Sequence, residues 1–424
     1  MRSEGHASIL PTHLPDGFIG AHPTLARATT PEPAPRGPHL LDVSMFWGPS
    51  GGVRRVLTTK QMWFTRQGWR HSVMAPGVQG HERIDCGGLP LPASGGYRAV
   101  LRRGPAARLI EQLRPDIVEA ADPYTLAWSV LDASRRLGIP SVAFCHSNLP
   151  SLAARWAGGP AGAKTRRGSL AARVAQRYLA RLYGRFDLVL APSQGLARQL
   201  REWGVPRVVH QGLGVDSSVF SPAAADPAWR WCFEQNLQLA AGTRLLVYSG
   251  RFAAEKNLQV LADAVELLGP RYALVAIGSG PLPPRGPRVH LLPPEPDSRR
   301  LARLVASCDA YVHAGDQETF GLGVLEAMAC GVPVVASSTG GVGELVAGAG
   351  QGVDGLRAAD FACAIEACVE GPPSVATGLA LRRARAHDWS RIIEQLSQRY
   401  IGLLRAPALT ATQAQQLVHG VVPR

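Results

Sequence analysis

The stretch HAGDQETFGLGVLEAMACGVPVVASSTGGVGELV, residues 313–346, carries the reading of this chain. Glu318 and Glu326 stand at E-x7-E spacing with Phe320 and Gly321 between them; a helix opens near Gly323, and Gly331-x-Pro333 leads into a β-rich run. A loop entering a helix offers free N–H groups and a positive dipole end, which suits a phosphate oxygen or a sugar hydroxyl. A carboxylate only accepts hydrogen bonds and can take two hydroxyls at once, so such a pair can clamp sugar and ribose hydroxyls. Alone, the two glutamates would read as solvated charges. Inside this whole string they read as a hydroxyl clamp.

Upstream, LLVYSGRFAAEKNLQVLADAV, residues 245–265, is a strand ending at Ser249-Gly250, followed by the cations Arg251 and Lys256. A diphosphate leaving group needs positive charge held ready where its own charge develops. Further upstream, GPSGGVRR, residues 48–55, ends the first strand, and Gly51 and Gly52 would let backbone approach a phosphate closely. This turn is not a full G-x-G-x-x-G, and no acidic residue ends the next strand at a dinucleotide spacing, which weighs against a nicotinamide enzyme. His146, in FCHSNLP, closes another predicted strand, where a histidine can bond a hydroxyl or shuttle a proton; a structural role is as open. The loop Ser279-Gly280-Pro281 reads either as the edge of a donor site or as a plain turn.

Around these segments the chain alternates β-rich runs with helix-length stretches. HLLDVSMFW, RHSVMAP, PDIVEAAD, PSVAFCHS, FDLVLAPS and PRVVHQG form one series; TRLLVYSGR, YALVAIGSG, RVHLLPP, CDAYVHAG and VPVVASS form a second. Short apolar runs of this kind are buried parallel strands. Two such series predict an α/β protein of two doubly wound domains, whose ligands sit outside the carboxyl ends of the strands and so face the interdomain cleft.

A chain of 424 residues exceeds one ordinary core, and 46% hydrophobic with 18% charged residues excludes a largely disordered or fibrous protein. Residues 1–38 are Pro-rich and weakly patterned, which predicts a flexible tail. No run is long enough to span a bilayer or resemble a signal peptide, so a cytoplasmic location is expected. The seven scattered cysteines show no C-x-x-C pair and are expected to be reduced and mostly buried. Residues 1–210 hold 27 Lys/Arg against 13 Asp/Glu, whereas the remainder is nearly balanced. That excess suits anionic lipid, a phosphorylated acceptor or nucleic acid, and a GC-rich genome, which favours Arg over Lys, would produce it too. In residues 164–185, Arg173, Arg177 and Arg181 form a stripe, with Leu170, Val174 and Leu182 on the other face. Such a helix could rest on an anionic membrane, but packing of its apolar stripe on the sheet is the simpler expectation.

Taken together, these motifs, in this order over residues 40–404, resemble the retaining glycosyltransferases of family 4, which have the GT-B fold. The resemblance implies two Rossmann-like domains, residues 39–215 on the acceptor side and 216–385 on the nucleotide-sugar side, then a crossover helix at 386–405 and a tail at 406–424. It implies that Glu318 faces the transferred sugar and Glu326 the ribose, that Phe320, Gly321 and Leu322 line the sugar, and that Arg251 and Lys256 hold the diphosphate. Gly52 would reach the diphosphate from the other domain, Gly250 and Gly280 would border the nucleotide, and His146 would be the active-site histidine. Transfer with retained configuration, without an obligatory metal, follows from the same resemblance. The implied partners are a nucleotide sugar, with GDP-mannose ahead of UDP-glucose, and a lipid-linked or saccharide acceptor, but no nucleic acid. HQGLGVD, where an Asn commonly precedes Gly-Val-Asp, and the Pro-rich PLPPRGP depart from the pattern. A nucleotide-sugar hydrolase, epimerase or phosphorylase, and a non-catalytic binding protein, remain the alternatives.

Overall fold

Each β-rich run named above becomes a strand of a parallel sheet; the central strands are nearly all buried, and those at the sheet edges are partly exposed. The computed structural model describes residues 37–47, 51–91, 97–159, 164–371 and 375–405. The tails predicted at 1–38 and 406–424 fall outside this description, apart from residues 37 and 38, as do residues 48–50 of the first glycine turn.

The first lobe begins with β1 (His39–Val43), α1 (Gly52–Arg66), β2 (Arg70–Ala75), β3 (Arg83–Asp85) and a hairpin of β4 (Leu89–Pro90) with β5 (Arg98–Ala99). It continues through α2 (Arg103–Leu113), β6 (Ile117–Ala120), α3 (Thr125–Leu137), β7 (Ser141–Phe144), α4 (Leu149–Gly158) and α5 (Arg166–Tyr183). β8 (Leu188–Ala191), α6 (Gln194–Glu202) and β9 (Val208–His210) complete it. The second lobe runs α7 (Pro227–Asn236), β10 (Arg244–Ser249), α8 (Leu258–Leu268), β11 (Tyr272–Ile277), β12 (Val289–Leu292), α9 (Ser298–Ala306), β13 (Ala310–His313) and α10 (Leu322–Ala329). β14 (Val334–Ser337), α11 (Gly340–Val346), β15 (Gln351–Val353) and α12 (Ala358–Glu370) follow, then α13 (Val375–Ala386) and α14 (Trp389–Arg405).

The first sheet is ordered β3-β2-β1-β6-β7-β8-β9 and the second β12-β11-β10-β13-β14-β15. Each reverses direction of growth once, between β1 and β6 and between β10 and β13, and the loops leaving those strands form the crevice of a doubly wound sheet. Those loops hold Gly51-Gly52, Gly250 to Lys256, and the segment that ends at Gly321. The strands β3 and β15 and the β4–β5 hairpin were not anticipated. They are two or three residues long and partly exposed at sheet edges, so they lack an apolar run to read.

The described residues of both lobes belong to one compact unit. The chain crosses between them twice, and the crossings pair. Val215 N donates to His387 O at 2.9 Å and Trp389 N to Val215 O at 3.0 Å. Gly214 is required there, because a Cβ would lie 2.7 Å from the Trp389 ring.

α14 then returns to the first lobe, and what holds it is a buried charge. α1 turns Val56, Leu57, Lys60 and Phe64 inward, and Lys60 is 1% exposed. Its Nζ donates to Asp42 of β1 at 2.8 Å, to Glu119 of β6 at 2.7 Å and to Tyr400 Oη of α14 at 3.1 Å. Tyr400 in turn donates to Glu119, and His71 bonds Asp42 at 2.7 Å. Burial favours neutral carboxyls, but Lys60 and His71 outweigh it at Asp42 and hold that group well below the usual carboxylate range. At Glu119 burial wins over the pull of Lys60, and Asp42 adds to it, so its pKa is pushed up from 4.5 to about 7.

Two expectations are corrected. Only Cys145, Cys308 and Cys330 are buried, while Cys232 and Cys363 are exposed; all seven are free thiols, so the reading of mostly buried cysteines fails for those on outward helix faces. On α5 the expected apolar stripe does not form: Ala175, Leu179 and Leu182 are buried, but Leu170 and Val174 are each 57% exposed, because with Arg177 and Arg181 they stand at i, i+4, i+7 and i+11 and so share the arginine face.

Replacing Lys60 by Ala leaves two buried carboxyls without their cation and should cost about 3–5 kcal/mol of stability in urea unfolding; a loss below about 1 kcal/mol contradicts the role given to this cluster. Glu119 has a raised folded-state pKa, so its contribution is fully present at acid pH and is lost as pH rises towards 7. Glu119→Gln should therefore flatten the fall in stability between about pH 5 and 7, measured by denaturant titration at each pH.

Candidate active site

Four loops at the carboxyl ends of β1, β7, β10 and β13 meet between the lobes. At Gly52, a Cβ would stand 3.2 Å from Leu322 Cδ1, which opens α10 in the opposite lobe. Thr319 Oγ1 donates to His146 O at 3.0 Å, joining the β13 loop to the β7 loop. Asn257, just after the β10 loop, donates to Ala314 O at 3.0 Å and to Asp316 at 3.1 Å.

Glu318 sits at the middle of this junction. Its carboxylate is ion-paired with Lys256 and lies 3.1 Å from His313 Nε2. His313 Nδ1 accepts from Gly315 N at 3.1 Å, so in the neutral ring the proton is on Nε2 and points at Glu318. Burial favours the neutral acid, but Lys256 and His313 outweigh it and hold the Glu318 carboxyl well below the usual carboxylate range. The backbone of Glu318 is fixed as tightly, since Gly341 N donates to its carbonyl at 2.8 Å. Gly340 makes that approach available: its φ is +61°, and a Cβ would fall against the Glu318 carbonyl.

The other expected residues are distributed around this centre. Arg251 is 48% exposed on its side chain and pairs with Glu255 one turn away, leaving its guanidinium at the mouth of the site. Gly250 is held to the second sheet by its N–H on Ile277 O at 2.9 Å, and Phe252 N donates to Ser279 O at 2.8 Å, which sets the Gly280 turn beside the β10 loop. Gly51 and Gly52 open α1. The ring of Phe320 is 4% exposed and packs near His387, with centroids 5.8 Å apart, so the core takes its side chain and the loop keeps its backbone. Glu326 lies on α10 with a 6% exposed side chain.

His146 stacks on Phe144 with ring centroids 4.2 Å apart. Burial, helped by the charge of Lys60, pushes its pKa down to about 3, so the ring is neutral at physiological pH. Its Nε2 is buried and has no hydrogen-bond partner among the described residues, which leaves a polar atom to be satisfied by a ligand.

Several contacts across the lobes carry no sequence signal of their own. Arg55 ion-pairs with Glu326 of α10 from the first turn of α1; it stood in the quoted glycine turn, yet nothing local marks it as a reader of a distant carboxylate. Arg155 of α4 donates to Ala254 O at 2.7 Å and to Asn257 at 3.1 Å. Glu344 of α11 accepts from Gln194 N at 2.9 Å and Gly195 N at 2.5 Å, so a carboxylate of one lobe caps α6 of the other. Only His313, a strand-end histidine like His146, had a positional cue.

Two doubly wound sheets with their crevices facing one junction, lined by paired cations and carboxylates, define the GT-B class of glycosyltransferases. Residues 50–218 match the profile of Glycosyltransferase Family 4, and residues 243–370 that of Glycosyl transferases group 1. The chain is 34% identical over 327 residues to a GDP-mannose-dependent alpha-mannosyltransferase of Mycolicibacterium smegmatis, covering 72% of this chain and 80% of that protein. It is 30% identical over 375 residues to a GDP-mannose-dependent alpha-(1-6)-phosphatidylinositol dimannoside mannosyltransferase of Mycobacterium tuberculosis, covering 83% and 93%. Among solved structures, HepE of Anabaena in complex with UDP-glucose matches with a TM-score of 0.68 at 19% identity, over 86% of this chain and all of that one. The sucrose-phosphate synthase of Thermosynechococcus elongatus matches with a TM-score of 0.70, also at 19% identity, over 88% of this chain and all of that one. The chain belongs to glycosyltransferase family 4 and is a hexosyltransferase.

Gly340→Ala should cost at least about 1 kcal/mol, because the left-handed backbone and the Glu318 carbonyl both oppose a Cβ. Gly348→Ala, at φ +70° with open space around the new methyl, tests the backbone penalty alone and should cost less in the same thermal unfolding measurement.

Proposed function

We propose that this enzyme transfers mannose from GDP-mannose, with retention of anomeric configuration, to a lipid-linked saccharide acceptor. The observation that carries the reading is the ionised Glu318 held between Lys256 and His313 at the carboxyl ends of the second sheet. Residues 39–215 take the acceptor side and 216–385 the donor side.

In this reading the donor's diphosphate takes over the cations that the carboxylates hold in its absence. Lys256 turns from Glu318 to the diphosphate, Arg251 joins it from the mouth of the site, and the N–H groups at Gly51 and Gly52 approach from the first lobe. Glu318 is then free to accept from hydroxyls of the transferred sugar, and Glu326 from the ribose. Gly250 and Gly280 border the nucleotide, and the backbone of Phe320, Gly321 and Leu322 borders the sugar. Positive charge held ready for the leaving diphosphate lowers the barrier to breaking the glycosidic bond, because no solvent needs to reorganise. Neutral His146 offers Nε2 to a substrate hydroxyl; a ring that titrates near 3 cannot act as a cationic acid at neutral pH. The leaving phosphate oxygen takes the acceptor's proton on the same face, which retains configuration. Likeness to the two GDP-mannose-dependent relatives supports mannose, and likeness to the phosphatidylinositol dimannoside mannosyltransferase of Mycobacterium tuberculosis supports a phosphatidylinositol-based acceptor. Among the described residues, no cluster of three or more His, Cys, Asp or Glu is arranged to hold a metal ion, and the scheme assigns none.

Peripheral contact with the cytoplasmic face of an anionic membrane belongs to the same proposal. No helix among the described residues is long and apolar enough to cross a membrane. Leu170 and Val174 are each 57% exposed on α5, next to exposed Arg173 and Arg177, and Trp156 on the packed neighbour α4 is 73% exposed. Exposed apolar side chains among cations suit an interface of lipid tails and anionic headgroups.

Calorimetric titration with GDP-mannose, UDP-glucose and UDP-N-acetylglucosamine tests the donor, with GDP-mannose expected to bind at least about tenfold more tightly than the other two. Glu318→Ala and Lys256→Ala should each reduce transfer by at least about a hundredfold while thermal unfolding remains cooperative. Turnover near the parent rate in either variant overturns the site assignment.

A further inference from the structure

On the face of the first lobe away from α14, a depression of about 680 Å³ opens between α2, α3 and α5. It is lined by Leu101, Arg103, Tyr124, Trp128, Tyr178, Arg181 and Arg185, with Thr125 at the start of α3. Its floor is rigid. Trp128 Nε1 donates to Tyr178 Oη at 3.1 Å, and Tyr178 donates to Pro123 O at 2.6 Å. Two guanidinium groups lie over the same indole: Arg103 at 5.9 Å from the ring centroid and Arg185 at 5.8 Å.

Three guanidinium groups thus surround one concave surface. Asp132, 3.9 Å from Arg103, is the sole carboxylate paired with any of them among the described residues. Like charges crowded around a concavity with low-dielectric aromatic walls repel one another and raise the local positive potential. An anion placed among them removes the repulsion and takes paired N–H donors from each planar fork, the geometry that phosphate oxygens match. A neutral saccharide would gain from the aromatic ring but would leave the repulsion in place.

The depression is also connected to the glycine turn. Tyr124 on its rim packs edge-on against Phe46, centroids 5.7 Å apart, and Phe46 packs edge-on against Tyr97 at 5.9 Å. A Cβ on Gly51 would lie 3.4 Å from Tyr97 Oη. A ligand seated here is two aromatic rings away from the turn proposed to approach the donor diphosphate.

We infer that this depression is a binding site for the phosphate group of the acceptor, with Arg103, Arg181 and Arg185 as its ligands and Trp128 as its floor. The inference rests on the proposed transfer to a lipid-linked acceptor and adds the acceptor's charge to it. Two sources share this chemistry, a phospholipid headgroup and a soluble phosphate ester.

The test titrates the full chain by calorimetry with sn-glycerol 3-phosphate, with glycerol as the uncharged control, and with a short-chain phosphatidylinositol kept monomeric in solution. The charge-reversed variant R181E/R185E is measured beside it. Saturable binding of either phosphate compound, absent for glycerol and weakened at least about tenfold in the variant, supports the inference. Binding of the lipid alone identifies the source as a headgroup; comparable binding of both identifies the phosphate as sufficient. Binding of neither, or binding that the variant leaves unchanged, overturns it. Both substituted arginines are exposed, so the variant should fold, and its GDP-mannose affinity should equal that of the parent. A parent that fails to bind GDP-mannose contradicts the donor reading instead, so the two failures are told apart. In transfer assays the variant should raise the acceptor KM at least about tenfold with little change in kcat, whereas general loss of structure would depress both.

Discussion

Charge buried away from water must be paired, and this constraint organises both the frame and the site. Lys256 pairs with Glu318, Arg55 pairs with Glu326 across the lobes, and at the mouth of the site the half-exposed Arg251 pairs with Glu255. These are the side chains that a sugar diphosphate would divide between its own two ends, with anionic oxygens for the cations and hydroxyls for the carboxylates. These side chains satisfy one another, and they are the groups that the proposed donor would use. Exchange of partners is less costly than desolvating bare charges when the donor enters, and it keeps the lobes in contact until then.

The frame obeys the same rule with a different outcome. Lys60, Asp42, Glu119 and Tyr400 are held so deeply that no ligand displaces them, and they fasten α14 to the first sheet. Two chain crossings hydrogen-bond to each other at Val215 and Trp389, so the lobes share one jointed connection. Beyond that joint the lobes share apolar packing and also polar contacts, such as the Glu344 cap on α6 and the Arg155 bridge to the β10 loop.

Strand-by-strand, the architecture was legible because buried parallel strands are continuous apolar runs, and each of the eleven β-rich runs became a strand. β3, β15 and the small hairpin were not legible, since an edge strand of two or three residues buries too little to leave a pattern. Glu318, Lys256 and Arg251 could be found from motif and spacing. Arg55, Arg155 and Glu344 could not, because each acquires its partner only when distant loops are brought together. Lys60 is the clearest instance: in sequence it is an ordinary cation in an amphipathic helix, and only the fold supplies the two carboxyls and the phenol that bury it. The exposed Leu170 and Val174 show the converse: apolar in type, they share a helix face with Arg177 and Arg181 and so lie on the outward side.

The partner exchange at Glu318 is tested most directly by a crystal structure of the enzyme with GDP-mannose bound. The account predicts Lys256 and Arg251 within hydrogen-bond reach of the diphosphate, with Glu318 released from Lys256 and accepting from a mannose hydroxyl. A bound donor beside an intact Lys256–Glu318 pair, with no contact from either side chain, would contradict it.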